Sequence, residues 1–164
     1  MSDDILTQER LKELLSYDPE TGVFVRVKSS GPAKIGAVAG TFHPAGYLHI
    51  QINGAKFLSH RLAWLYMIGA FPPDQIDHIN RNKKDNRFVN LRAATHSENM
   101  HNQPKPKNNT SGFKGVAYHK QHKKWHASIR INNVLKHLGD FFTPEEAGAA
   151  YLAAQRIYHP TCPI

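Results

Sequence analysis

The sequence predicts an α+β chain in which a ββα unit is followed by a three-stranded antiparallel sheet packed on one helix. Three observations carry that prediction. Short runs with apolar residues at every second position recur along the chain, such as Leu48, Ile50 and Ile52 alternating with His49 and Gln51. A polar loop, Asn80 to Asn86, separates two such short runs just ahead of Thr95-x-x-Glu98, a capping-box pattern that opens a helix. Near the end, three further apolar runs precede Thr143-Pro144-Glu145-Glu146, which combines an N-cap, a proline at the first helical position and a capping-box glutamate.

The elements follow in order. Thr7 to Leu15 reads as a short helix with Leu11, Leu14 and Leu15 on one face, and Asp18 to Gly22 as a turn before the strand Val23–Val27. Residues 29–46 hold four glycines and two prolines and read as loop. Asn53-Gly54 is a two-residue hairpin signal between the strand ending at Ile52 and Lys56-Phe57-Leu58. Ser59 is placed to cap a helix from His60 to about Ile68, which Gly69 and Phe71-Pro72-Pro73 end. Gln75 to Ile79 and Phe88 to Arg92 are the two strands of the ββα unit, and the helix after Thr95 carries Asn99 in its first turns. Farther on, Gly115–Tyr118, Trp125–Ile131 and Leu135–Phe141 read as strands, with Asn132-Asn133 as a turn. The last helix repeats Ala147, Ala150, Tyr151, Ala154 and Ile157 at helical spacing.

Composition narrows the function. The chain has 164 residues, 40% hydrophobic and 10% aromatic, which is globular composition. No apolar run approaches the roughly 18 residues of a membrane span, and the acidic start Met-Ser-Asp-Asp does not resemble a secretory signal, so the expected location is cytoplasmic, with no membrane partner. Cys162 is the single cysteine, which excludes an internal disulfide and a cysteine-built zinc site; no zinc is expected. The net charge is +8, and it is uneven: residues 1–102 carry 12 Lys+Arg against 10 Asp+Glu, while residues 103–164 carry 9 against 3. Such an excess fits a polyanionic partner. The segment 103–110, QPKPKNNT, has linker composition, so the expected domains are 1–102, with a ββα core at about 74–102, and 111–164.

The residues able to carry chemistry are Asp77, His78, Asn90 and Asn99, on the two strands and the helix of the ββα unit. Adjacent strand residues point to opposite faces, so Asp77 and His78 are not both expected in a core. A carboxylate and an amide oxygen are hard ligands suited to Mg2+, and a neutral imidazole can take a proton from an attacking water. On spacing alone two readings stay open: a one-metal phosphodiester hydrolase, or turn-capping polar groups beside an ordinary exposed histidine.

The stretch from Tyr17 to Asn102 resembles the HNH endonuclease family in its phage and intron-homing branch. The matching words are Tyr17-Asp18-Pro19-Glu20-Thr21-Gly22, His60-Arg61-Leu62-Ala63-Trp64, Ile76-Asp77-His78-Ile79-Asn80, Asp85-Asn86-Arg87, Asn90-Leu91-Arg92 and Ser97-Glu98-Asn99. The resemblance implies a ββα-metal nuclease domain. In it His78 is the general base, Asp77 and Asn99 hold a divalent metal (Mg2+, with Mn2+ as a substitute), and Asn90 braces the loop that orients His78. Arg61, Arg81, Lys83, Lys84 and Arg87 lie near these words as candidate phosphate contacts. His60 is read equally well as packing on the ββα unit, and His101 as exposed.

Residues 111–159 resemble the plant ethylene-response-factor type of DNA-binding domain, through Gly112-Phe113-Lys114-Gly115-Val116, Lys124-Trp125, Ser128-Ile129-Arg130, Leu138-Gly139-Asp140-Phe141 and Glu145-Glu146-Ala147. Strand parity puts Trp125, Ala127, Ile129 and Ile131 toward the helix and Lys124, His126, Ser128 and Arg130 outward. The resemblance implies Lys114, His119, Lys124, Ser128, Arg130 and His137 as DNA contacts. Ala117 and Leu135 stand where the plant domains use arginine, which points to different base readout here. The whole reads as a metal-dependent endonuclease of double-stranded DNA, phage or mobile-element encoded, nicking as a monomer or cutting both strands as a homodimer. Its competitors are a catalytically inactive DNA-binding regulator derived from an HNH enzyme and, third, an RNA-processing nuclease.

Overall fold

The structure is a computed structural model and describes residues 6–29, 31–103, 105, 108–131 and 134–160. The chain packs as two units, Met1–Thr95 and His96–Ile164, so the division falls ahead of the 103–110 segment.

In the first unit, helix α1 (Gln8–Leu14) is capped by Thr7, whose side chain accepts from the Arg10 N–H. It ends one residue before its leucine spacing predicts. Leu15 turns extended (φ −136°) and opens β1 (Leu15–Asp18), which pairs with β2 (Val23–Arg26). The switch to a period of two buries Leu15 and Tyr17 together and sets Tyr17 opposite Phe24, rings 4.7 Å apart. The expected loop 29–46 holds a short strand, β3 (Thr41–Phe42), which pairs with β4 (Leu48–Ile52). Asn53 and Gly54, both at positive φ as a two-residue hairpin turn requires, lead into β5 (Ala55–Leu58).

Helix α2 (Ser59–Ile68) starts one residue early, with Leu58 as its N-cap. Ser59 is therefore not the cap; it is the first helical residue, fully buried, and its Oγ has no hydrogen-bond partner. Gly69 closes the helix in the left-handed conformation, as expected. Strands β6 (Gln75–His78) and β7 (Leu91–Ala94) then pair antiparallel. The strand expected from Phe88 begins only at Leu91, because Phe88–Asn90 forms a 3-10 turn. Asn90 itself bends the chain there: its carbonyl accepts from Ile79 N–H and its side chain bonds back into the loop. Leu11, Leu15, Tyr17, Phe24, Ile50, Leu62, Leu65 and Ile76 belong to one core that joins the sheets to the helices of this unit.

In the second unit, α3 (His96–Asn102) starts directly after Thr95. Gln103 and Lys105, in the expected linker, both bond within this unit, to Lys114 and to the Gly112 carbonyl. Strands β8 (Val116–His119), β9 (Lys124–Ile131) and β10 (Val134–Phe141) form an antiparallel sheet in the order β10-β9-β8. The Asn132-Asn133 turn lies outside the described residues. Helix α4 (Pro144–Tyr158) has both halves of its capping box, Thr143 Oγ1 accepting from Glu146 N–H and the Glu146 carboxylate from Thr143 N–H. Ala127 and Ile129 face Ala147, Tyr151 and Ala154, as the strand parity predicts, whereas Ile157 of the expected stripe is exposed. Among the described residues, no helix is long and apolar enough to cross a membrane.

Candidate functional site

The site is assembled around His78 at the end of β6. Asp77 and His78 are both buried, each 5% exposed, which corrects the half-exposed strand that their adjacency predicted. Both faces of β6 are occupied. Asp77 lies opposite Arg92 in the strand register, and Arg92 donates from Nε (3.0 Å) and from a terminal nitrogen (2.6 Å) to the same carboxylate oxygen. His78 meets the ring of His60, edge to face at 5.0 Å, and that of Tyr47 at 6.2 Å.

The side chain of Asn86, only 2% exposed, fixes the imidazole of His78. Its Oδ1 lies 3.2 Å from His78 Nε2, while its Nδ2 reaches the Lys84 carbonyl at 3.5 Å. With that amide orientation Oδ1 accepts, Nε2 carries the hydrogen, and the lone pair of a neutral ring sits on Nδ1. Burial pushes the His78 pKa below its ordinary 6.5; the Asn86 bond and the Asp77 and Asp85 charges oppose the shift without reversing it. His60, with its Nδ1 buried and without a partner, is driven down to about 3 by burial first and then by His78. Both rings are neutral at neutral pH.

The loop between the strands is held from two sides. Asn90 ties its ends together, accepting at Oδ1 from Asn80 N–H (2.9 Å) and donating from Nδ2 to the Asp85 carbonyl (2.8 Å). The β1–β2 turn supports it from below. Tyr17 donates its hydroxyl to the Asn86 carbonyl at 2.7 Å, and Phe88 N–H donates to the Pro19 carbonyl at 3.0 Å. Gly22, at φ +74°, lets the turn come so close that a Cβ there would lie 2.5 Å from the Arg87 backbone nitrogen. The Tyr17–Gly22 word is thus a physical prop for the loop that carries Asn86.

The remaining candidate residues fall into two groups. In the first unit, Arg81 is exposed on the loop at φ +64°. Lys83 lies over the Tyr47 ring at 4.5 Å and Lys84 over that of Phe42 at 5.1 Å, both exposed. Arg61 donates to the Asp74 carbonyl and covers Phe71. Arg87 makes a two-pronged pair with Asp85, whose carboxyl it holds down at about 2. In the second unit, Asn99 lies on α3, Lys114 donates to the Gln103 carbonyl, and Lys124 covers the Phe142 ring. Ser128 and Arg130 are on β9, His119 stacks on His122 at 4.3 Å, and His137 stacks on His126 at 3.9 Å.

Arg92, Asn86, Tyr47 and the direct contact of His60 with His78 were not singled out from the sequence as site features. Three of them sit inside the matching words, at Asn90-Leu91-Arg92, Asp85-Asn86-Arg87 and His60-Arg61. Tyr47 had no local signal.

By their chemistry the carboxylate of Asp77, which Arg92 holds, and the amide oxygen of Asn99 are each hard donors of the kind that Mg2+ or Mn2+ takes.

Residues 57–101 match the HNH endonuclease family, a span that contains His60, Asp77, His78, Asn86, Asn90, Arg92 and Asn99. Protein 3.8 of Escherichia phage T7 is 34% identical over 89 residues, 54% of this chain and 64% of that protein. An SPbeta prophage-derived protein of Bacillus subtilis (strain 168), named as an HNH homing endonuclease, is 30% identical over 95 residues, 57% of this chain and 55% of its own length. An HNH endonuclease of Acanthamoeba polyphaga mimivirus is 32% identical over 112 residues, 66% of this chain and 57% of its own. The chain thus spans less than two thirds of the length of these curated relatives. The solved structure of the HNH homing endonuclease I-HmuI, described by its DNA binding and cleavage, aligns over 90% of this chain and 88% of its own, at 21% identity and a TM-score of 0.44. Residues 57–101 are thus similar to HNH endonucleases, and of the curated relatives one is named as an HNH homing endonuclease and one as an HNH endonuclease.

Proposed function

We propose that this protein is a metal-dependent endonuclease of double-stranded DNA in which His78 is the general base. The observation that carries the reading is the state of His78: buried, kept neutral, and oriented through Nε2 by Asn86, inside the segment that matches the HNH family. A neutral ring so fixed can take a proton from water as the water attacks phosphorus. Asn86 and Asn90 hold the ring and its loop in place during that transfer, and Arg92 holds the Asp77 carboxylate. When bound, Mg2+ or Mn2+ supplies Lewis-acid stabilisation of the developing phosphate charge and of the leaving oxygen. The assignment of the metal to Asp77 and Asn99 rests on the sequence pattern. The products are 5′-phosphate and 3′-hydroxyl ends.

DNA is held by the exposed loop cations Arg81, Lys83 and Lys84, with Arg61 and Arg87 beside them. The outward face of the β8–β10 sheet adds Lys124, Ser128 and Arg130, with Lys114, His119 and His137. A basic sheet of this kind, like the ethylene-response-factor domains, presents side chains that fit a major groove. We assign the nuclease function to residues 1–102, with the ββα core at about 74–102, and DNA docking to 111–164, with 103–110 between them as a linker, although α3 (His96–Asn102) packs with the second unit. The protein is phage or mobile-element encoded and works in the cytoplasm, as a monomer or homodimer.

The test is incubation with supercoiled plasmid in Mg2+, in Mn2+ and in excess EDTA, reading nicked and linear product. Cation-dependent cleavage supports the reading. DNA binding with no cleavage under any cation makes the protein a regulator built on an HNH segment, and cleavage undiminished in EDTA removes the metal.

A further inference from the structure

A second group of metal-ligating side chains lies far along the sequence from His78, on the open face of the second unit's sheet. Each strand puts an imidazole there: His119 from β8, His126 from β9 and His137 from β10. Asp140 faces the same way, because it pairs with His126 in the register. In an unbroken strand His137 and Asp140, three apart, would point to opposite faces. The register slips between His137 and Gly139, and Gly139 takes φ +141°, a conformation that L side chains rarely adopt. The extra residue, Leu138, turns inward to the core, and the bulge brings His137 and Asp140 onto one side.

The result is a convergent cluster. His126 Nδ1 lies 2.8 Å from Asp140 Oδ1, His137 Nε2 lies 4.0 Å from the same oxygen, and one ligand atom from each residue falls within 4.8 Å of the other two. The imidazoles of His126 and His137 stack at 3.9 Å with their planes 23° apart.

We propose that His126, His137 and Asp140 form a binding site for a first-row divalent cation of the Zn2+ class, separate from the Mg2+-type donors of the HNH segment. Two imidazoles and one carboxylate are the ligand chemistry of Zn2+, Cu2+ and Ni2+, whereas Mg2+ prefers oxygen alone. Water fills the remaining positions. Tetrahedral bonds of roughly 2.0–2.2 Å set ligand atoms about 3.3–3.6 Å apart. His126 and Asp140 therefore have to open from 2.8 Å, His137 has to close from 4.0 Å, and the stacked rings have to turn until their nitrogen lone pairs converge. The site does not depend on the protein being a nuclease. It runs against the expectation that no zinc is bound, while the exclusion of a cysteine-built site, drawn from Cys162 as the single cysteine, is untouched.

The experiment uses the full-length protein, freed of metal by EDTA and dialysis, titrated with Zn2+ in a non-coordinating buffer. Two readouts are taken: calorimetric affinity and long-range 1H–15N spectra of the histidine rings. The expected result is about one equivalent bound with the ring nitrogens of His126 and His137 shifting together. Affinity should fall in His137→Ala and Asp140→Asn by at least the roughly 10- to 100-fold that loss of an outer-shell partner alone costs. Asp140→Asn nearly preserves shape, and a far-UV spectrum checks that both variants are folded. Zn2+ that shifts only His60 or His78, affinity unchanged in both variants, or no binding would each overturn the proposal. A cleavage failure in the plasmid test leaves it standing, and the reverse also holds.

Discussion

Two pairs of touching histidines are set in opposite surroundings. His60 and His78 are buried, each 5% exposed, and burial strips both of their proton. His126 and His137 stack on an open sheet face around a carboxylate. The same side chain is therefore held neutral by burial in one place, and left open to solvent and ions in the other. The carboxylates follow suit: Asp77 is enclosed with a guanidinium, and Asp140 shares one oxygen between two exposed rings.

The largest expected effect falls on catalysis at the buried pair. His78→Ala should lower cleavage by about 10²–10⁴-fold while DNA affinity stays close to that of the parent protein. Because its pKa is lowered, His78 is still a competent base at pH 6.5, and cleavage should decline only as pH drops through that lowered value. Single-turnover nicking from pH 5 to 8, beside filter binding, reads both. Full activity in His78→Ala would remove it from the mechanism.

Next is the cost of breaking enclosed charge. Arg92→Ala takes the paired guanidinium from the Asp77 carboxylate, whose side chain is 6% exposed, and should lower stability by about 3–5 kcal/mol in urea unfolding. Asp140→Asn, on the open face, should barely move the unfolding midpoint of the metal-free protein. Equal effects from the two would break the contrast between the regions.

A third effect comes from His60. Its folded pKa, about 3, lies below the ordinary 6.5, so the unfolded chain binds the proton that the folded chain refuses. Stability is therefore complete above pH 6.5 and is lost as pH falls toward 3, by up to about 1.4 kcal/mol per unit. His60→Leu should flatten that slope in melting curves taken between pH 7 and 5, whereas His126→Ala should leave it in place.

What could be read in advance follows the same physical line. Capping at Thr143, the Asn53-Gly54 hairpin and the two faces of β9 depend on a few neighbouring residues, and all three are present. The end of α1 was illegible because Leu15 continues the spacing of Leu11, and only pairing of Tyr17 with Phe24 pulls it into a strand. Ser59 looked like a cap, but the helix takes Leu58 instead. The burial of Asp77 and His78 together depends on Arg92 and His60, 15 residues later and 18 earlier, which no local pattern announces. The bulge at Leu138 was hidden for another reason. Alternation predicts facing only while the register is unbroken, and so Asp140 went unremarked while His137 was singled out.

The smallest effect probes the open face by its charge. Arg130 is exposed on β9, opposite Leu135, where a contact with DNA would be made in high dielectric and screened by salt. In the full chain, Arg130→Ala should reduce the log–log dependence of DNA affinity on salt by roughly 0.9 if the guanidinium neutralises one phosphate, with all sequences weakened alike. If it reads a base edge, a preferred site should lose about 1–3 kcal/mol while other sequences change little. Titrating one duplex of each kind at two salt concentrations separates these outcomes. Lys83→Ala, on the loop beside the buried pair, supplies the matched control. A salt slope that drops for Lys83 and not for Arg130 would place the DNA contact on the first unit and leave the sheet face to its histidines.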